Sequence, residues 1–390
     1  MLFKVSEKKD GEKVKKLLPL VCTVLLSLYF LLGAQPWLWG QVEVEITPPK
    51  LEEGMAQIEG MVTTEIQSAA AEIAELADSL LTKPSLYTAL GDAGAAAASL
   101  YPFAPQLHGG GYYVGIGSSA GIATERYNYK EMKEKVENVR ETDDFYLGAG
   151  LKPLELNFAV PGDFIFPQLG LMGSFAYVSG SAQEYTLNSI GATLSAGYPL
   201  LPACELGPYV TYSGVQGSAG VSVLRNTLST HFYPGIVRET VDFDPLGEDA
   251  PLFTQSVTIE VEPDIVVDVE STVYALSLEL AGGFKVIEFL HFTLGASGEL
   301  VFGNTSVGLA VDEEIQIIGY LSELVDEPSR LVVSGSTEPI APSTVQFSLF
   351  TSLSWQVGTY VCTLPVSWRS NGLRGGRGGF AAGLFLGVHL

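Results

Sequence analysis

Alternation with a period of two residues constrains this chain more than any other feature. Between Val345 and Val357, one face carries Val345, Phe347, Leu349, Leu353, Trp355 and Val357. The other carries Gln346, Ser348, Ser352, Ser354 and Gln356, with Phe350 the exception. A pleated strand sends successive side chains to opposite sides, so such a segment forms a strand with one apolar and one polar face. At 291–302, Phe292, Leu294, Ala296, Leu300 and Phe302 oppose His291, Thr293, Gly295, Ser297 and Glu299. At 189–198, Ile190, Ala192, Leu194, Ala196 and Tyr198 oppose Ser189, Gly191, Thr193, Ser195 and Gly197. Ten strands are predicted, over 110–123, 143–152, 169–181, 184–199, 206–224, 266–284, 287–305, 341–357, 359–368 and 378–390.

Alternation alone suits a soluble sandwich as well as a barrel. Strand length separates them. Segments 206–224 and 266–284 each read as one strand, far beyond the usual ~5–6 residues and long enough to cross a bilayer at a tilt. Connections after even strands are mostly brief: Pro199 to Glu205, Phe284 to Val286, and Gly358. Connections after odd strands are often long and acidic. Segment 225–265 holds Glu239, Asp242, Asp244, Glu248, Asp249, Glu260, Glu262 and Asp264; segment 306–340 holds Asp312, Glu313, Glu314, Glu323, Asp326 and Glu327. Short periplasmic turns and longer external loops are the outer-membrane pattern. The loop after the third strand is short and departs from it. So does the Pro-rich stretch from Lys152 to Gln168, expected to be a bent strand or part of a plug.

Aromatics sort by strand end. Tyr112, Tyr198 and Trp355 lie toward the periplasmic ends of apolar faces, and Phe302 and Phe380 toward the opposite ends, as interfacial girdles do. At the C-terminus Phe380, Ala382, Leu384, Leu386, Val388 and Leu390 share one face. This resembles the terminal strand of bacterial outer-membrane proteins, which the insertion machinery recognises; many end in Phe, this one in Leu390. In lipid no water satisfies an open sheet edge, so such strands must pair all round.

Two hydrolase-like signatures need separate treatment. His108-Gly109-Gly110-Gly111 resembles an esterase oxyanion loop, and Gly117-Ser118-Ser119-Ala120-Gly121 has nucleophile-elbow spacing. Yet Tyr112, Val114, Ile116, Ala120 and Ile122 oppose Tyr113, Gly115, Gly117, Ser119 and Gly121, as in a strand. An elbow needs a turn from strand into helix, and none is signalled. Gly115-x-Gly117-x-x-Ala120 fails as a dinucleotide fingerprint for the same reason. No enzyme activity and no cofactor are expected.

Before the strands lies a different region. Lys13, Lys15 and Lys16 precede an apolar run from Val21 to Leu32, and Gly33-Ala34 offers small residues for cleavage, the form of an export signal. An uncleaved anchor is the alternative, because Trp37 and Trp39 extend the run. Met55, Ile58, Val62, Ile66, Ala69, Ile73, Leu76 and Leu80 recur at helical spacing, and Lys83-Pro84 closes the segment. This helix is read as packed on the rest of the protein, or as a plug or periplasmic coiled coil. The organisation expected is a signal peptide at 1–34, a helical plug or periplasmic region at 35–104 and an outer-membrane barrel at 105–390.

The chain of 390 residues is 47% hydrophobic yet carries a formal charge of −23. Loss of 1–34 removes six Lys and three acids, leaving 15 basic and 41 acidic residues, a net of −26. Nucleic acid is excluded as a partner, since phosphate binding needs surplus Lys and Arg. Cys204 and Cys362 remain, one disulfide at most. His108, His231, His291 and His389 are scattered without metal-ligand spacing, so no metal is expected. Arg374-Gly-Gly-Arg377-Gly-Gly reads as a hairpin loop, with Arg369, Arg374 and Arg377 directed to lipid phosphates or into the lumen; the mixed-charge run 125–143 reads as a solvated loop.

Export signal, helical N-terminal region, barrel and strand-like C-terminus together resemble the FadL-like family of outer-membrane long-chain fatty-acid transporters. Segment 89–105, ALGDAGAAAASLYPFAP, is similar to that family's N-terminal segment. Tyr101-Pro102-Phe103-Ala104 stands where the family carries Asn-Pro-Ala-Gly, and here the Asn and Gly are missing. The resemblance implies an N-terminal plug, passage of hydrophobic small molecules and up to about fourteen strands.

The fold expected is therefore all-β, a transmembrane antiparallel barrel with an N-terminal helical segment. The function expected is uptake of hydrophobic or amphipathic small molecules such as long-chain fatty acids. A general porin, and a surface protein or adhesin acting through acidic loops, are the alternatives. Lumen-facing candidates are Tyr113, Ser189, Thr193, His291, Thr293, Glu299, Gln346, Ser348, Phe350 and Gln356. Lipid-facing candidates are Val345, Phe347, Leu349, Leu353, Trp355, Phe380, Leu384 and Leu386. The partners expected are outer-membrane lipid, a hydrophobic ligand and, through the last strand, the insertion machinery.

Overall fold

The computed structural model describes residues 41–51, 56–81, 84–100, 111–124, 147–182, 185–233, 236–243, 255–319, 322, 325–371 and 377–390. The signal expected at 1–34, the family-like Tyr101–Ala104, the esterase-like glycine loop from His108 to Gly110, the run 125–143 and residues 372–376 of the arginine–glycine loop lie outside them. In chain order the elements are β1 (Gln41–Thr47), β2 (Lys50–Leu51), α1 (Ala56–Leu81), α2 (Pro84–Ala98), β3 (Tyr113–Thr124), β4 (Leu147–Pro161), β5 (Gly170–Ala182) and β6 (Tyr185–Leu201). There follow β7 (Cys204–Gly207), β8 (Val210–Phe232), β9 (Val237–Phe243), β10 (Gln255–Val261), β11 (Ile265–Val286) and β12 (Leu290–Gly319). Last come β13 (Val325–Glu327), β14 (Ser329–Ser336), β15 (Val345–Val357), β16 (Tyr360–Asn371) and β17 (Arg377–His389).

Ten of these strands form a closed antiparallel meander: β3, β4, β5, β6, β8, β11, β12, β15, β16 and β17. The last strand pairs with the first from Gly378↔Thr124 to His389↔Tyr113, so the ring has no open ends. Fourteen strands are not needed; the ring closes with ten. The stretch after Lys152 proves to be a bent strand. β4 continues to Pro161, and its register against β3 slips between Gly117↔Glu155 and Ser119↔Lys152. Pro153 and Leu154 on β4 thus oppose Ser118 alone on β3, a bulge that bends the strand.

The outer wall is apolar in a band and polar above it. On β12, Phe292, Leu294 and Ala296 are exposed and Leu300 and Phe302 half-exposed; beyond them the same face presents Asn304, Asp312, Glu314 and Gln316. The inner face reverses this order. His291, Thr293, Ser297 and Glu299 are buried inside the ring, then Val301, Val307, Leu309, Val311, Ile315 and Ile317 are buried beyond it. β11 inverts at the same level. Phe284, Leu280, Leu278 and Tyr274 give way outside to Thr272, Glu270 and Asp268. Tyr274 pairs with Phe302 at the changeover, and one step above it Arg225 meets Glu270 at 2.8 Å. A strand whose outer face is apolar below this line and acidic above it has hydrocarbon outside one half and water outside the other.

Above the line the wall carries a separate core. β12 pairs there with β14, from Gly308↔Ser336 to Ile315↔Ser329, and β14 pairs with β1. β10 joins the other side of β12 and β9 joins β10. Helix α1 lies against this sheet. Val62, Ile66, Ala70 and Ile73 pack with Ile259, Val261, Leu309, Val311, Leu331 and Val333. The segments expected as acidic loops, 225–265 and 306–340, are thus partly strand. Their period of two persists, but the faces exchange polarity on leaving the membrane. Ile66→Ala in this cap is expected to cost about 2–5 kcal/mol. Hydrogen exchange would read it as faster loss of α1 protection with the barrel strands unchanged.

Candidate functional site: the barrel lumen and its helix

Helix α2 stands inside the ring. Its sequence supplies almost only small side chains there: Ala93, Ala95, Ala96, Ala97 and Ala98 are all fully buried. The wall is equally small where the helix approaches. Gly121 and Gly150 are partners in the β3–β4 ladder. A Cβ on Gly150 would sit 2.5 Å from the Ala93 carbonyl oxygen and 2.6 Å from Gly94 Cα, and one on Gly121 would collide with the same carbonyl. Glycine is required because helix backbone, not a movable side chain, occupies the space.

A helix ends with carbonyls that lack intrahelical partners, and these need donors when buried. The polar inner wall supplies them. Ser119 Oγ donates to Ala97 O at 3.2 Å, Thr193 Oγ1 to Ala98 O at 3.1 Å, and Lys152 Nζ to Ala98 O at 3.4 Å. Lys152 also places a positive charge at the helix C-terminus, the end its dipole favours. The Ser within the elbow-like spacing is therefore a helix-capping group in the middle of a strand.

Two buried ion pairs flank this end. Lys152 and Glu155 meet at 2.7 Å with both side chains fully buried. Residues three apart in a regular strand face opposite ways; the bulge turns both inward. Arg369 holds Glu299 through two bonds, Nη1 to Oε2 at 2.6 Å and Nη2 to Oε1 at 2.9 Å. It also donates to Gln346 Oε1 at 3.1 Å and to Ser99 Oγ at the helix end. Higher on α2, Asp92 accepts from Ser343 N at 2.7 Å, Ser343 Oγ at 2.8 Å and Gln346 Nε2 at 3.0 Å. Below the helix, Tyr113, Ala159, Met172, Ala281, Phe350 and Val361 form an apolar cluster in the lumen. A cavity of about 10 Å³ remains among Ser99, Glu279, Glu299, Phe350 and Arg369, room for one water at most.

The structure places Tyr113, Ser189, Thr193, His291, Thr293, Glu299, Gln346, Ser348 and Phe350 buried on the inner face. Gln356 is half-exposed toward the rim, where its Nε2 donates to Gly358 O at 3.3 Å and its side chain also reaches the inward-facing His291. Phe347, Leu349, Phe380, Leu384 and Leu386 are exposed outward, and Val345, Leu353 and Trp355 half-exposed. Val114, Ile116, Trp355, Tyr360, Cys362 and Leu386 line an outward apolar groove of about 540 Å³. Cys204 and Cys362 are both free thiols. Arg369 turns into the lumen rather than toward lipid phosphate. Sequence reasoning missed Lys152, Glu155 and Asp92. A Lys beside Pro153 in an otherwise apolar strand was the available signal. Among the described residues no three His, Cys, Asp or Glu side chains gather as a metal site, and no helix is long and apolar enough to cross a membrane.

A closed, ten-stranded antiparallel barrel with a helix held in its lumen is the class these observations define. Residues 54–378 match the family described as Lsa36-like, and the chain belongs to that family. No curated protein matches it. Solved structures similar to it include the translocator domain of the autotransporter NalP from Neisseria meningitidis, at 10% identity and TM-score 0.30, over 72% of this chain and 89% of that one. Another is a FadL homologue from Pseudomonas aeruginosa, at 9% identity and TM-score 0.24, over 77% and 98%. A third is the outer membrane protease OmpT from Escherichia coli, at 10% identity and TM-score 0.33, over 72% and 97%. At these scores they carry nothing about activity; the architecture rests on this chain's own strand ladder.

Proposed function

We propose that this chain is an outer-membrane barrel, closed by its own helix, that acts at the cell surface through the α1 cap and the long loops. The observation that carries this reading is the filled lumen. Ser119, Lys152, Thr193, Glu299, Gln346 and Arg369, which would line a pore, are engaged with α2 or with Ser99 at its end, and aromatic and apolar side chains close the space below it. The barrel then serves as an anchor in lipid, with β17 as the strand offered to the insertion machinery. In planar bilayers the full chain is expected to stay electrically silent. Stepwise channel openings in the unaltered protein would contradict this and favour a porin.

Uptake of hydrophobic or amphipathic small molecules, such as long-chain fatty acids, is a second reading, and a separate observation favours it. The β4–β5 ladder runs only from Glu155↔Ala176 to Pro161↔Gly170. Above that, among the described residues, β4 follows β3 alone, and Leu151 O accepts instead from Ser189 Oγ at 3.1 Å. The wall is least tightly joined there. Uptake through it requires α2 to move, so it predicts retained lipid and saturable fatty-acid binding by the purified protein. A lipid-free preparation that binds no fatty acid ends this reading.

A further inference from the structure

The two ends of the N-terminal region lie on opposite sides of a closed ring. β1 belongs to the cap sheet, from Gln41↔Ser336 to Thr47↔Arg330, and α1 is buried in the cap core. α2 descends from the cap until Ala98 meets Lys152 and Thr193 inside the barrel. β3 begins at the other mouth, where Tyr113 pairs with His389 and Leu390 N donates to Tyr112 O at 2.8 Å. The covalent chain therefore passes through the ring. Folded chains ordinarily do not thread closed loops, so this path needs an assembly step that produces it.

We propose that the barrel is the export route of its own N-terminal region: residues 41–98 cross the membrane inside the strand ring, from the short-turn mouth to the long-loop mouth. Three features fit this passage. The part left in the lumen is nearly all alanine, narrow enough for the Gly121–Gly150 track. The core that ends the journey cannot form earlier, because α1 supplies only five of its sixteen buried residues. Leu309, Val311, Leu331 and Val333 come from strands already on the far side. Burial of these groups, at roughly 1.5–3 kcal/mol for each large side chain, draws the segment outward and holds it there without another energy source. The activity implied is translocation of any flexible polypeptide joined ahead of Gln41.

This inference rests on the surface reading above, so the test separates the two. Glu314 and Thr64 are exposed on the barrel extension and on α1, and Cys204 is exposed beside the short turns. Single-cysteine variants Glu314→Cys and Thr64→Cys, with Cys22, Cys204 and Cys362 replaced by Ser, are treated on intact cells with a membrane-impermeant maleimide. A chain with Cys22 and Cys362 replaced by Ser reports Cys204. The expected result is equal labelling of Glu314→Cys and Thr64→Cys, with Cys204 labelled only after the outer membrane is permeabilised. Labelling at 314 without labelling at 64 overturns the export route and leaves the surface reading standing. Labelling of Cys204 but not of position 314 in intact cells overturns the surface reading itself, and the export direction with it. A second measurement covers misfolding: an epitope tag placed before Gln41 in an Ile66→Asp background. The barrel should still insert, as judged by its resistance to heat and detergent, while surface tag is lost. Undiminished surface tag in that variant would overturn the role of cap folding in drawing the segment through.

Discussion

Gly150→Leu is expected to convert the silent barrel into a conducting one. The new side chain meets Ala93 and Gly94 backbone rather than a flexible tip. Overpacking a tight contact costs typically about 1–3 kcal/mol even when neighbours relax, and a helix backbone relaxes little. The helix must tilt or leave, and its exit uncovers a polar wall. That wall carries Glu155, Glu279 and Glu299 against Lys152 and Arg369, so the opened pore should favour cations. Gly180→Leu is the matched control, since nothing lies within 4 Å of its added Cβ. Channel steps in the first variant and silence in the second are the outcome expected. A folded Gly150→Leu barrel that stays silent would show that something other than α2 closes the lumen.

Arg369→Ala should be among the most destabilising single changes in the barrel. It leaves Glu299 buried with Ser297 Oγ at 3.1 Å and Ser99 Oγ at 3.2 Å as its remaining neighbours. Breaking a buried pair from one side costs about 3–5 kcal/mol, because the other charge stays desolvated. Removing both charges together, as Arg369→Met with Glu299→Leu, should cost far less, since well-packed apolar replacements of buried pairs are often neutral. Urea unfolding in lipid vesicles distinguishes the two. Equal losses for the single and double variants would mean that the pair's charge is not what matters at this position. The single variant also removes the bond from Arg369 to Ser99 at the end of α2, so protection of the α2 amides should fall with it.

The ten strands were legible because one-sided burial in lipid forces a strict period of two, and parity alone then assigns faces. Phe350 shows the rule at work against intuition: its parity puts it inside, and an aromatic belongs there below the helix. Three features were not legible, each for a physical reason. The outer halves of β11 and β12 keep the period but exchange faces, so their acidic outer residues read as solvated loop. Helix α2 is enclosed on every side, so it shows no amphipathic stripe. Its alanines carried a family-like segment and no geometry. Lys152 and Glu155 break the parity rule because of a bulge, and only the pairing register reveals that both point inward.

The exchange of polarity along β12 can be tested with one pair of substitutions in one strand. Leu294 and Gln316 both face outward and are exposed, one within the apolar band and the other beyond it. In folding measurements into lipid vesicles, Leu294→Arg should lose about 2–4 kcal/mol, the cost of placing this charge deep against hydrocarbon. Gln316→Arg should stay within about 0.5 kcal/mol of the unaltered protein, as surface changes in water usually do. Equal costs at the two positions would mean that the same solvent bathes both, and that this wall does not stand in a membrane.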